Sequence, residues 1–238
     1  MEIIDSHTHW GASLSMGTEV TTQEILKQAE QSNVSRIVIF PFPSMALADE
    51  EINQRLLNEA KRIKKFIPYY YIPETMKPIP DGKGFYGGKW HWMRGIQDAS
   101  SNYQALEDPK LVEFIEASER IDRPIVFEEE LAFTEAFVER TKNLKIIIPH
   151  LGMLGGNPVD FLDAFKAREN VHFDTALANP ATIMNFIEKI GHERILFGSD
   201  IPFGAMKWEL EKVLSLPIVD DKKEWILSKN LLRLTGLA

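Results

Sequence analysis

The chain has 238 residues, no cysteine and a formal net charge of −8. The acidic balance argues against a nucleic-acid binder, which needs a basic surface, and no apolar run is long enough to span a membrane. Without cysteine there is neither a disulfide nor a thiolate nucleophile, so any metal must be held by histidine and carboxylates.

The first strand is expected at Ile3–Ile4, and it leads into Asp5-Ser-His-Thr-His9. His7 and His9 are two apart, so on a strand both imidazoles leave one side, roughly 6–7 Å apart at Cα. Two neutral imidazoles so placed can grip one divalent cation. The start moves straight into strand-like sequence with no charged and apolar leader, so a cytoplasmic protein is expected. Thr21-Thr-Gln-Glu24 resembles a capping box and opens a helix that ends near Ser32. Arg36 to Phe40 is a buried-type strand, a helix is expected from about Ala48 to Phe66, and Ile67 to Ile72 is the next strand.

From Glu74 to Met93 no helical period appears, and prolines and glycines punctuate the stretch. A long Gly/Pro-rich loop is therefore expected in place of the third helix, followed by a short fourth strand at Arg94 to Gln97. In that reading Trp90, His91 and Trp92 end a loop returning to the far end of the strands and pack there, away from chemistry. Asp108-Pro109 starts a helix running to about Ile121.

The second half alternates regularly. Strands are expected at Pro124–Glu128, Lys145–Pro149, Val171–Thr175 and Arg194–Phe197, each followed by a helix, with Asn179-Pro180 capping one of them and Gly191 stopping it. Eight strand–helix units with no composition break predict one (β/α)8 TIM barrel over residues 1–238. An open doubly wound sheet is the alternative, but no glycine-rich phosphate turn follows the first strand.

In such a barrel the site lies at the C-terminal ends of the strands. That rim would carry His7, His9, Glu128, His150, Asp174 and Asp200. Ordinary strand ends supply serine, asparagine or lysine as well, so six metal-competent side chains on one rim point to a metal site. His172 and His192 fall at the opposite, stability end.

Ile4-Asp-Ser-His-Thr-His9, Ile147-Ile-Pro-His-Leu-Gly152, Ile195-Leu-Phe-Gly-Ser-Asp-Ile-Pro202 and Asn230-Leu-Leu-Arg-Leu234 together resemble the amidohydrolase superfamily. The likeness is to the branch that holds aminocarboxymuconate-semialdehyde decarboxylase, γ-resorcylate decarboxylase and lactone hydrolases. The resemblance implies that His7, His9 and Asp200 are metal ligands, with Asp200 also taking a proton, and that His150 is an acid/base. At strand five the family pattern ends in a ligand histidine where this chain has Glu128, which is expected to ligate in its stead, while Glu129 and Glu130 lie next door. At strand four the position of a bridging carboxylated lysine falls on Gln97, which cannot bridge, so one metal is expected: zinc, with manganese as the alternative. Asp174 and Gln97 are expected near the substrate, and Asp5 beneath the ligands as a hydrogen-bond acceptor.

The implied activity is metal-dependent hydrolysis of a small lactone, ester or amide. The alternatives are a non-oxidative decarboxylase of an unsaturated or aromatic acid, a TatD-type nuclease, and a non-catalytic barrel with a degraded metal site. The expected partner is a small-molecule substrate, with no nucleic acid and no membrane, and a homodimer is left open.

Overall fold

The computed structural model describes residues 1–92 and 100–237. Short strands and helices alternate from β1 (Ile4–Asp5) through a rim hairpin, β2 (His9–Ser13) and β3 (Thr18–Val20), to α1 (Thr22–Gln31). They continue with β4 (Arg36–Pro41), α2 (Pro43–Ala48), α3 (Ile52–Arg62), β5 (Phe66–Tyr71) and β6 (Gly87–His91). Next come α4 (Lys110–Ile121), β7 (Ile125–Glu128), α5 (Leu131–Val138), β8 (Ile146–Ile148) and α6 (Pro158–Phe165). The chain finishes with β9 (Val171–Asp174), α7 (Pro180–Ile190), β10 (Ile195–Leu196), α8 (Met206–Leu214), α9 (Asp220–Glu224) and α10 (Asn230–Thr235).

The sheet runs β10-β9-β8-β7-β6-β5-β4, all parallel, with β1 and β2 both on the far side of β4. The first and last strands then meet. Ser6 N donates to Phe197 O at 2.9 Å, Asp200 N to His7 O at 2.8 Å and His9 N to Ile201 O at 3.0 Å. These bonds join the two ends of the sheet, and the result is a (β/α)8 barrel. Ile4, Val38, Ile67, Val126, Ile147 and Leu196 fill its interior, while the outward strand residues pack with the helices in a larger core. Two clusters, one inside the sheet and one around it, are what the alternating strand pattern requires.

Local signals account for several elements. Thr21 and Glu24 make the reciprocal capping box, and Asn179 caps α7 by accepting from Thr182 N at 2.9 Å. The segment expected as one helix from Ala48 to Phe66 is a shorter α3, and β5 already begins at Phe66. No helix of the described residues is long and apolar enough to cross a membrane.

The fourth strand departs from expectation. It is β6, Gly87–His91, paired in register with Tyr69–Tyr71 on one side and Ile125–Glu128 on the other. The helix-free stretch after β5 therefore ends at residue 86, and Arg94 to Gln97 lies outside the described residues. Trp90 is not at the base of a loop. It faces outward from β6, stacked on Trp92 at 3.5 Å between ring centroids and packed against Phe114, Phe127 and Phe137. Period two then turns Lys89 and His91 inward.

Candidate metal centre

His7 comes from the turn after β1 and His9 opens β2, where the chain crosses the barrel rim. His7 Nδ1 lies 2.8 Å from Asp174 Oδ2, so the carboxylate holds the proton on Nδ1 and turns Nε2 inward. Asp174 Oδ1 also accepts from the backbone of His150 and Ala176, at 3.0 Å each. Burial works against its charge, but His7, followed by His150, outweighs it and brings the Asp174 carboxyl down to about 2. Asp174 thus stands behind His7, and the end of β9 points toward strand one.

Asp200 faces both imidazoles: Oδ1 lies 3.4 Å from His7 Nε2 and 3.3 Å from His9 Nε2. His7 Nε2 and both oxygens of Asp200 are buried without a hydrogen-bond partner. Leaving a buried donor or acceptor unpaired costs on the order of 1–3 kcal/mol each, more if charged. A divalent cation removes that cost. Ligand atoms held at roughly 2.0–2.1 Å in tetrahedral array stand roughly 3.3–3.4 Å apart, which matches the two distances from Asp200 Oδ1, and all three ligand atoms lie within 4.8 Å of one another. His7, His9 and Asp200 therefore fit a divalent cation. A second convergent group is His7, His150 and Asp174, but there the Asp174 oxygens are already engaged.

The electrostatics agree with this set. Burial, and then the Lys89 ammonium, push His7 below the usual histidine range and His9 well below it, so both imidazoles are neutral and competent as ligands. Burial, and then Glu128, raise the Asp200 carboxyl against the pull of His7, His150 and Lys89.

His150 and Asp200 both hold left-handed backbone, φ 55° and φ 53°. For non-glycine residues this conformation is costly and concentrates at functional sites. His150 Nε2 lies 3.7 Å from Asp200 Oδ2 and 3.7 Å from Glu128 Oε1, poised between the two carboxylates. Strand eight can come this close because residue 198 is glycine: a Cβ there would stand 2.9 Å from His7 Cβ. Asp5 lies beneath, accepting from Ser199 Oγ at 2.5 Å, Ser199 N at 2.9 Å and His7 N at 3.1 Å, and burial lifts its carboxyl to about 7.

Glu128 reaches the same cavity from β7, but its Oε2 is already taken. Lys89 Nζ donates to it, and His91 Nδ1 lies 2.8 Å away. Burial disfavours the ionised form, yet His91 and Lys89 hold the Glu128 carboxyl well below the usual range. Glu129 turns the other way and accepts from Trp90 Nε1, Trp92 N and Ser101 Oγ. Gln97 lies outside the described residues. His172 and His192 sit at the opposite end, at the start of β9 and just before β10.

Lys89 and His91 face the site only because strand four is β6, whereas the sequence places the strand at Arg94 to Gln97 and His91 away from the chemistry. The signal was present: Lys-x-His repeats the two-residue spacing of His7 and His9, and both pairs turn polar side chains to one face.

The sequence profile of the family described as "Amidohydrolase" matches residues 4–237. Comparison with curated protein sequences finds no match. Among solved structures, the chain is similar to a dihydroxybenzoic acid decarboxylase from a Polaromonas species with bound manganese and the inhibitor 2-nitroresorcinol, at TM-score 0.79 and 14% identity over 99% of this chain and 97% of that one. It is similar to a probable 2-pyrone-4,6-dicarboxylic acid hydrolase from Acinetobacter baumannii, at TM-score 0.75 and 15% identity over 100% of both. It is also similar to an amidohydrolase from Burkholderia multivorans with bound zinc, at TM-score 0.80 and 11% identity over 100% of both. These identities speak for the fold. With the family match spanning nearly the whole chain, the chain belongs to the amidohydrolase family of enzymes.

Proposed function

We propose that the protein is a hydrolase with one divalent cation, zinc or manganese, acting on a lactone, ester or amide of a small organic molecule. The observation that carries this reading is that Asp200 Oδ1 lies 3.4 Å from His7 Nε2 and 3.3 Å from His9 Nε2, with no hydrogen-bond partner for His7 Nε2 or for Asp200 Oδ1. The structures with bound manganese and zinc support the choice of ion.

A divalent cation in this position supplies Lewis acidity and lowers the pKa of water toward neutrality. His7 is held ready by Asp174, and His9 is backed by the Phe42 ring stacked on it at 4.5 Å. Asp200 Oδ2 and His150 Nε2 face each other at 3.7 Å, and that pair accepts the proton of the attacking water. Glu128, whose Oε2 is engaged by Lys89 and His91, acts beside the ligand set in this reading instead of as the inner ligand expected from its position.

Decarboxylation is the rival reading, and the likeness to a dihydroxybenzoic acid decarboxylase supports it. Zinc- or manganese-loaded protein incubated with a lactone, ester and amide panel and with a hydroxybenzoate panel separates the two. Acid release from the first panel is the expected result. CO2 release from the second, with the first untouched, overturns hydrolysis in favour of decarboxylation.

A further inference from the structure

The geometry points to a second proton-handling group in this cavity: we propose that His91, oriented by Glu128, is the acid that protonates the leaving atom of the substrate. The proposal rests on the reading of the cavity as a catalytic metal centre and adds a residue to it.

The starting point is strand register. His91 pairs with Glu128 across β6 and β7, and Lys89 and His91 alternate with the outward Trp90. Both therefore reach the carboxylate at the end of β7. Glu128 Oε2 lies 2.8 Å from His91 Nδ1 and also accepts from Lys89 Nζ. A carboxylate on one ring nitrogen fixes the ring and its tautomer, and leaves Nε2 as the working nitrogen. Tyr71 adds a tether by donating from its hydroxyl to the backbone oxygen of His91 at 2.5 Å.

Burial separates His91 from the other histidines of the cavity. The side chains of His7, His9 and His150 are at most 5% exposed, whereas that of His91 is 18% exposed. His91 alone of these four combines an engaged Nδ1 with access to water, and a recycling acid needs both.

A purely architectural role fits poorly. Lys89 is wholly buried and paired with Glu128, its ammonium 4.7 Å above the Phe40 ring. Such a pair loses about as much hydration energy as its attraction returns, and apolar residues of similar volume would serve the fold as well or better. What the pair does accomplish is to keep an ionised carboxylate buried and aimed at His91.

In the step itself, the bond from the acyl carbon to the leaving atom breaks and its electron pair stays on the leaving atom. The proton on His91 Nε2 passes to that atom, and the neutral ring keeps its Nδ1 proton toward Glu128. The water that attacked the carbonyl gives its proton to the Asp200 and His150 pair and from there to solvent. Solvent returns a proton to His91 at its exposed edge, so the reaction consumes one water and no net acid.

The test uses the metal-loaded full chain and three readouts. In His91→Gln, metal content stays at the wild-type level, kcat on the compound hydrolysed by wild type falls by about 10²–10³, and KM stays within about threefold. In ¹⁵N NMR of wild type, the histidine signal that vanishes in His91→Gln shows a protonated Nδ1, a readout that requires no substrate. The double variant Lys89→Met with Glu128→Leu replaces the buried pair by apolar residues; it keeps its metal and loses kcat as His91→Gln does. A fully active, metal-loaded His91→Gln overturns the role of His91 and leaves the metal centre standing. Loss of metal in His91→Gln, or an unprotonated Nδ1, also overturns it. Wild-type protein that holds no metal and turns over neither panel overturns the underlying reading, and this role with it.

Discussion

Asp174 Oδ2 stands 2.8 Å from His7 Nδ1, and the same carboxylate accepts the backbone N–H of His150 through its other oxygen. One side chain on strand seven thus sets the ring orientation of His7 on strand one and the entry of the strained turn after strand six. Its low pKa, about 2, follows from that position between two histidines.

Asp174→Asn weakens the polarisation of His7 without emptying the space. Loss of such a partner behind a ligating histidine lowers metal affinity by about 10–100-fold. Zinc titration against a competing chelator measures it. Wild-type affinity in the variant would show that Asp174 serves only the backbone of strand six.

Gly87 presses on Tyr69. A Cβ at residue 87 would lie 2.4 Å from the ring, which is wholly buried in the barrel interior. Gly87→Ala therefore destabilises by about 1–3 kcal/mol through overpacking, read as a lower urea midpoint at unchanged slope. Gly88→Ala meets the flexible ends of Ile72 and Ile79 at 3.0–3.3 Å and costs less. An equal midpoint shift in both would contradict the close approach of strand four to Tyr69.

The lower end of the barrel carries a pH dependence of its own. Burial, followed by Arg233 and Arg194, pushes His172 from 6.5 down to about 4. The unfolded chain thus binds a proton at higher pH than the folded one, and stability is lost as pH falls from about 6.5 to about 4. His172→Gln removes that loss, on the order of 2–3 kcal/mol across the window. Urea unfolding of both proteins at pH 7 and pH 4.5 tests it, and identical pH slopes would show that His172 does not titrate between the two states.

Much of this molecule was legible in its sequence. Arg36–Phe40, Ile125–Glu128 and Ile146–Ile148 are runs of branched and aromatic residues that a parallel strand buried on both faces requires, and the structure has strands there. Thr21, Asn179 and Gly191 mark helix ends because they answer specific unpaired backbone groups. Strand four escaped for equally physical reasons. Gly87 and Gly88 leave room for Tyr69, Ile72 and Ile79, and Lys89 and His91 face inward because Glu128 waits there. A strand of glycine and charge carries no apolar signature, and its partners lie in other segments. The shift from the expected strand to β6 brought Lys89 and His91 to the cavity and tied Glu128 to them. Asp174 was readable as a rim residue, but which neighbour it faces depends on how strands one and seven approach each other across the barrel.

Everything proposed for the site requires a cation held by His7, His9 and Asp200. Metal analysis of protein purified without chelator, then loaded with zinc or manganese and desalted, tests it most directly when wild type is compared with His9→Ala and Asp200→Ala. About one equivalent is expected in wild type and less than about 0.2 in either variant. Wild-type protein that stays below about 0.2 equivalents after loading, or variants that retain a full equivalent, would contradict it.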